Sequence, residues 1–451
     1  MSDNPISRRK FLARSGLASG GLVLGSWAGG AAGANERVRT ALIGCGGRGR
    51  YDIRGMAAAG AQVVALCDIN PQRLAETAKF LQRYAPEPRV RGMRMEPSMD
   101  KLLEDRSLDA VVVATPDHWH APASIKAVLA GKDVYVEKPH AHTVKESRLM
   151  IRAAERTGRL IQAGTQNRSG AYNLEALEYI RQGRLGPVHL VKVYNVKSGG
   201  AFRMGDPGEK PEGLNWDAWL GPAPWRPWHR QLYYGGWHHF WDYSGGDLRD
   251  DGVHQTDLAL MLMGDPGLPR SVASTGGRLA HRGDDSQVPD VLSAHFDFGD
   301  FVMTVDHTDY PKYMMKTTMS IRQGDKFPFW MHNSTRIEIY GTDQMMVVGR
   351  HGGGWQATIY PWEVAAQRYG RPCDDEHYRN FLDCVKSRKE PNAAVRKAHA
   401  ALCALQMANI AHRIGNTALR FDPKTQTFDK PEANRLLERT YRRGYELPRI
   451  G

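Results

Sequence analysis

The stretch "ALIGCGGRGR", residues 41–50, decides how the chain is read. It closes the short β-branched and apolar run "RVRTALI" (residues 37–43) and sets Gly44, Gly46 and Gly49 in a Gly-x-Gly-x-x-Gly spacing where a helical stretch begins. Glycines so placed let the backbone turn tightly and approach a pyrophosphate, whose charge then rests on the free amides at the start of the next helix. Gly44, Gly46, Gly47, Arg48 and Gly49 are therefore expected to cradle the phosphates of a dinucleotide. The spacing alone is a weak signal, and the next segment strengthens it. "QVVALCD" (residues 62–68) reads as a second strand ending in Asp68, about 20 residues past the loop, where a carboxylate can accept both ribose hydroxyls. That carboxylate would repel a 2′-phosphate, so NAD is expected over NADP. Arg73 is close enough in sequence to contact a phosphate or stack on adenine, which works against that preference.

Working outward, "LDAVVVATPDHWH" (108–120) is the near-continuous apolar run of a parallel strand buried on both faces. The helix "APASIKAVLAG" and the strand "KDVYVEKP" follow and complete a βαβ unit. A helix over 143–157 and the strand "RLIQAGTQ" close a doubly wound sheet near residue 168. From about residue 170 the helix "YNLEALEYIRQGRLG" and the strand "VHLVKVYNV" open a second region. There "SAHFDFGDFVMTVDHT" and "TRIEIYGTDQMMVVG" have the paired apolar runs and Gly-Asp or Gly-Thr-Asp turns of antiparallel hairpins. Residues 376–388 and 396–415 read as amphipathic helices. The fold class is α/β: a Rossmann domain over 35–168, then a second α/β domain over 169–451, whose substrate-binding and oligomerisation roles are implied only by the family resemblance given below.

The first 34 residues read differently. Arg8-Arg9-Lys10-Phe11-Leu12 precedes a charge-free, Gly- and Ala-rich run ending Ala32-Gly33-Ala34, the order of a twin-arginine signal cleaved after Ala34. Export to the periplasm, or otherwise out of the cytoplasm, by the twin-arginine machinery is the expectation. Loss of this segment removes four basic residues and one acidic, so the formal charge falls from +12 to +9. The remaining charges are interspersed, and no stretch pairs a basic run with stacking aromatics, so a nucleic-acid partner is not expected. No other segment is apolar enough to cross a bilayer. The five cysteines, at 45, 67, 373, 384 and 403, form neither a Cys-x-x-Cys pair nor a Cys/His ladder. Neither a disulfide framework nor a metal site is indicated.

Several motifs carry a resemblance. "GCGGRG", "CDINPQRL", "TPDHWHAPASIKAVLAGKDVYVEKPHA", "GGDLRDDGVHQTDLALMLMG", "ANIAHRIGNTALRFD" and the ending "NRLLERTYRRGYELP" resemble, in order and spacing, the landmarks of the glucose-fructose oxidoreductase, inositol dehydrogenase and MocA family. The resemblance spans nearly the whole mature chain. It implies an N-terminal Rossmann domain and a C-terminal α/β domain with a large open, mainly antiparallel sheet. That sheet often serves as a subunit interface, so a homo-oligomer, dimer or tetramer, is expected.

The candidate site residues follow from both readings. Lys138, in Glu137-Lys138-Pro139, stands at the carboxyl end of a predicted parallel strand, where doubly wound folds bind ligands. Its ammonium can donate to a substrate hydroxyl, and a nearby positive nicotinamide would depress its pKa. In the family this lysine lies beside nicotinamide and substrate, and the Lys-Pro peptide is often cis. Thr115, Pro116, Asp117 and His120 occupy the loop with which the family wraps the cofactor, and Gln166 and Asn167 end the last strand at the same edge. His118-x-His120 lacks a third ligand at a useful distance, so positioning the cofactor is its expected role. In "GGDLRDDGVHQTDLALML" (245–262), one continuous helix would put Asp250 and His254 a turn apart on one face. A carboxylate there can give the imidazole the character of a general base, and the two match the family's Asp and His. Asp257 either contacts His254 or faces the core. Six of the eleven tryptophans crowd into 216–241. Of this aromatic region, Tyr233, Tyr234, Trp237, His238 and His239 are expected to face substrate, where rings can stack on sugars.

These residues are expected to transfer hydride between a tightly bound NAD and a sugar, with His254 or Lys138 taking the hydroxyl proton. An exported enzyme that cannot exchange its cofactor has to restore the redox state in the same site. A second reading meets the same demand: transient oxidation of a glycoside, elimination of its leaving group, addition of water and re-reduction. It resembles the NAD-dependent α-N-acetylgalactosaminidases, which usually lack the lysine of Glu-Lys-Pro. Lys138 therefore favours the oxidoreductase. A third reading is a non-catalytic sugar-binding protein that keeps NAD as a structural element.

Overall fold

The computed structural model describes residues 37–197, 199–309, 314, 316–361 and 363–450. The expected export signal lies outside the described residues. The first sheet holds β1 (Arg39–Ile43), β2 (Gln62–Cys67), β3 (Arg94–Glu96), β4 (Ala110–Val113), β5 (Asp133–Val136) and β6 (Ile161–Ala163), all parallel, in the order β3-β2-β1-β4-β5-β6. Its strands, the edge strand β3 aside, are largely apolar on both faces because both are covered. In β4, Val111 and Val113 enter one core with Ile43, Val134 and Val136, while Ala110 and Val112 enter the other with Leu42, Leu66 and Tyr135. Successive side chains point to opposite faces, so an unbroken apolar run is what two covering helix layers require.

The second sheet holds β7 (Val188–Val196), β8 (Ser271–Gly277), β9 (Val291–Asp297), β10 (Val302–Thr308), β11 (Arg336–Gly341), β12 (Met345–Gly349), β13 (Trp355–Ile359), β14 (Glu363–Arg368), β15 (Ala418–Asp422) and β16 (Thr427–Phe428). Their order is β14-β13-β12-β11-β7-β10-β9-β8-β15-β16, antiparallel except for the β7–β10 pair. The expected hairpins are the β9–β10 and β11–β12 pairs. One face of this sheet is apolar and packs on the helices Gly252–Leu262 and Val395–Arg413. Alternate residues face the other way, as in β9, where Leu292, Ala294 and Phe296 are buried and His295 and Asp297 exposed.

Two readings of local structure are corrected. Residues 245–262 form two helices, Gly246–Asp250 and Gly252–Leu262, broken at Asp251. The strand "RLIQAGTQ" stops at Ala163, and Gln166–Ser169 form a single 3-10 turn.

Candidate functional site

The glycine loop leaves β1, Thr115–Asp117 leave β4, Glu137–Lys138 leave β5, and Gln166–Asn167 lie just past β6. All four therefore gather at the carboxyl edge of the first sheet. Gly44 has φ +96, and a Cβ there would stand 2.6 Å from the Ala114 carbonyl oxygen; at Gly49 it would stand 2.1 Å from that of Gly44. These two glycines are required for the chain to fold back on itself. Gly46 and Gly47 differ. A Cβ at Gly46 would meet only the Arg73 guanidinium, at 3.6 Å, and one at Gly47 nothing within 4 Å. The helix Gly47–Ala58 that follows has no side-chain N-cap and no acidic residue in its first turn, so its leading amides are free to hold an anion. The residues thus fit a dinucleotide pyrophosphate.

A cavity of about 330 Å³ opens over this loop, lined by Gly46, Gly47, Arg48, Arg73, Thr115, Pro116, Asp117, His120, Glu137, Lys138, Tyr233, Tyr234, Trp237, His238 and Asp250 among others. Asp68 is buried and is not among the residues that line it. Its two carboxylate oxygens accept the backbone N–H groups of Cys45 (2.7 Å) and Asn70 (2.8 Å), and each keeps a lone pair for a further donor. Burial raises the Asp68 pKa against those hydrogen bonds. The Arg73 guanidinium lies over the Tyr233 ring at 4.4 Å, and the Tyr233 hydroxyl accepts from Asn70 (2.8 Å).

A second cavity of about 290 Å³ is lined by Gln166, Asn167, His254, Arg322, Arg350, His351, Cys373 and Asp374, and shares Arg48, Glu137 and Lys138 with the first. Arg48 holds the shared wall through Asp52 (2.9 Å), Glu137 (3.0 Å) and Asp374 (3.3 Å). Burial would raise the Glu137 pKa, but Arg48 and Lys138 outweigh it and leave the carboxyl lowered. Gln166 donates to the Tyr135 hydroxyl (3.2 Å) and to Glu137 (3.4 Å).

Lys138 follows β5 through a cis peptide to Pro139. Its ammonium donates to the Asp250 carboxylate (2.7 Å) and to the Asp250 carbonyl (2.8 Å). Burial disfavours this charge, yet Asp250 and Asp251 outweigh it, and the pKa is raised. The chain's own charges thus act against the depression expected of a nicotinamide. Burial likewise disfavours the Asp250 carboxylate, but Lys138 and His238 hold its pKa below the ordinary carboxylate range. His238 Nδ1 lies 3.4 Å from the other Asp250 oxygen. His254 is driven well below its ordinary pKa by burial, Arg350 and Lys138, and its buried Nδ1 has no hydrogen-bond partner among the described residues. Near neutral pH the site therefore presents an ammonium, a carboxylate and a neutral imidazole.

The expected Asp250–His254 pair is not formed, because the helix breaks between them at Asp251 and leaves Asp250 to Lys138 and His238. Asp257 faces the core, buried against Arg168 at 2.7 Å. His239 does not line either cavity; it stacks on Phe202 (4.0 Å) and shares a hydrogen bond with Ser286 (3.1 Å). Tyr233 and Tyr234 face the Arg73 side of the first cavity, whereas His238 reaches the Lys138 side. Much of the tryptophan cluster packs on itself: Trp216 stacks on Trp219 (4.6 Å), and Trp219, Tyr233, Phe240 and Tyr243 share one small core. The His120 ring is held between the carbonyls of Thr115 (2.7 Å) and Pro139 (2.7 Å), which clasps the β4 loop to the Lys-Pro loop. Asp117 accepts from Ser244 (2.8 Å) and Arg249 (3.2 Å), tying that loop to the helix that ends in Asp250. Arg322, Arg350, His351 and Asp374 were not foreseen. The signal within reach was "GRHGGGW" after β12, a polar pair set among glycines at a strand end.

Comparison with known proteins agrees with this layout. A family model described as "Oxidoreductase family, NAD-binding Rossmann fold" matches residues 38–165, and one described as "Oxidoreductase family, C-terminal alpha/beta domain" matches 199–280 and 343–447. A glycosyl hydrolase family 109 protein of Shewanella pealeana is 32% identical over 152 residues, 34% of this chain and 33% of that protein. The chain spans between 33% and 46% of the length of the curated relatives it matches. Among solved structures, the aldose-aldose oxidoreductase of Caulobacter crescentus complexed with glycerol aligns with a TM-score of 0.62 at 20% identity, covering 85% of this chain and 100% of that one. The WlbA dehydrogenase of Bordetella pertussis, in complex with NADH and UDP-GlcNAcA, aligns with a TM-score of 0.63 at 22% identity, covering 86% and 99%. The first family model covers all six strands of the first sheet and the second covers β8 and β12–β16 of the second sheet, and the chain belongs to the Gfo/Idh/MocA oxidoreductase family.

Proposed function

We propose that this protein transfers hydride between tightly held NAD(H) and a hydroxyl-bearing carbon of a sugar or sugar derivative. The observation that carries the reading is the Lys138–Asp250 pair (2.7 Å) with the neutral imidazole of His254 in the adjoining cavity. Lys138 donates a hydrogen bond to the substrate hydroxyl oxygen and offsets the charge that grows there as its proton leaves. His254 takes that proton on a ring nitrogen. Asp250 keeps the ammonium charged and aimed, and His238 Nδ1 stands 3.4 Å from the other carboxylate oxygen. A nicotinamide dinucleotide, when bound, supplies the acceptor for the hydride of the same carbon. Gly46, Gly47 and the leading amides of Gly47–Ala58 hold its phosphates, and Asp68 favours NAD over NADP by accepting from the ribose.

The protein is exported folded by the twin-arginine pathway with this cofactor in place, and the open face of the ten-stranded sheet joins it into a dimer or tetramer. The lines of support are the Arg8-Arg9 motif, the Ala32-Gly33-Ala34 end of the signal and the open outward face of β9.

A second reading, redox-assisted glycoside cleavage, is favoured by the curated relative named as a glycosyl hydrolase. The two separate when purified protein, with no cofactor added, is given either an aryl glycoside or a free sugar with a carbonyl acceptor. We expect an oxidised sugar and a reduced acceptor. Release of the aryl alcohol with an unoxidised sugar would replace the first reading with the second.

A further inference from the structure

The second cavity holds a charge that has no assigned contact with the substrate. Arg350 follows β12 at the cavity wall, and its buried Nε has no hydrogen-bond partner among the described residues. The carboxylates that act on it most are already engaged: Asp251 by Lys316 (3.0 Å) and Asp374 by Arg48 (3.3 Å). Arg322 lines the same wall with its Nε spent on the Thr317 carbonyl (2.6 Å). Burial lowers the pKa values of Arg350, Arg322 and His351, and Arg350 presses the last two further down. Among the described residues no carboxylate is paired with Arg350, and a guanidinium so kept in a cavity is costly unless a ligand supplies the anion.

We propose that this cavity binds an anionic substituent on the sugar, a carboxylate or a phosphate, through Arg350, with Arg322 adding positive charge. The inference rests on the reading of Lys138 and His254 as the reacting end of the same site. It makes the substrate an acidic sugar, held by its charged group on one side while a hydroxyl meets Lys138 on the other.

The test compares glucuronate, glucose 6-phosphate and glucose on the full protein, by calorimetric binding and by turnover, together with Arg350→Met and the milder Arg350→Lys. We expect at least one anionic sugar to bind at least ~30-fold more tightly than glucose. In the calorimetric binding constants, Arg350→Met should erase that preference. Whichever anion gains identifies carboxylate or phosphate as the source. Equal binding of all three sugars by the unaltered protein, or no measurable binding of either anion, overturns the inference without reference to any variant. Loss of the bound dinucleotide from Arg350→Met also overturns it, because the guanidinium would then serve the cofactor. Anion-selective binding without any sugar oxidation would leave the inference standing and sink the redox reading instead.

Discussion

Lys138 and Asp250 stand 2.7 Å apart and share one electrostatic fate, since each holds the other in its charged form against the cost of burial. Replacing one partner leaves the other charge buried and unpaired. Asp250→Asn should keep the shape of the site, release Lys138 to titrate at lower pH, and cut kcat by about 10²-fold. Its alkaline limb should move toward neutrality, visible in the pH dependence of kcat. His254→Asn removes the proton acceptor and should cost about 10²–10⁴-fold in kcat with thermal stability retained. Because His254 titrates below the ordinary histidine value, kcat/KM in the unaltered protein should stay level through neutral pH and fall only on the acid side of about 6.5. A limb centred above that value would contradict a neutral imidazole as base.

At the scale of elements, the glycine loop separates folding from binding. Gly44→Ala forces a side chain into a left-handed conformation and against the Ala114 carbonyl, so it should destabilise the first sheet. Gly47→Ala meets nothing; it should melt at the same temperature as the parent yet retain far less dinucleotide after purification. Equal retention would show that Gly47 does not face the ligand. The elements around this loop were legible because buried parallel strands announce themselves as apolar runs, as "AVVV" does in β4. β3 was not, because its three residues, Arg94–Glu96, carry no buried side chain. The break at Asp251 was hidden for another reason: "LRDDGVHQTDLALML" keeps helix-forming residues on both sides, and the separation comes from tertiary partners. Asp250 turns to Lys138, and Asp251 to Lys316. Arg350 escaped notice because it lies in the glycine-rich stretch Gly349–Gly354 and no periodicity marks a residue that follows a strand.

Across the whole molecule, several buried histidines are held neutral. Burial pushes His118 and His140 down to about 3, and His377 and His399 down to about 4. An unfolded chain takes up these protons near pH 6.5 while the folded one refuses them, so their contribution is complete above about 6.5 and is lost as pH falls toward 4. Buried Asp52, Asp68 and Asp257 have raised pKa values and act with the opposite sign, so one histidine is best isolated by substitution. His399 joins the helices Val144–Thr157 and Val395–Arg413 through Ser147 (2.8 Å). His399→Gln should lower the acid slope of unfolding free energy by about 1.4 kcal/mol per pH unit between about 6.5 and 4. Urea unfolding of both proteins at several pH values reads this directly; parallel slopes would contradict it. The division into two sheets was legible from the change in strand pattern, whereas their meeting at Lys138, Asp250 and His254 was legible only through the family's motif order.

The most direct test of the account is mass spectrometry of whatever small molecule is released when the freshly purified protein is denatured. Close to one NAD(H) per chain is the predicted result. NADP in its place would contradict the role given to Asp68, and a chain that releases no dinucleotide and binds none when it is supplied would contradict the central claim.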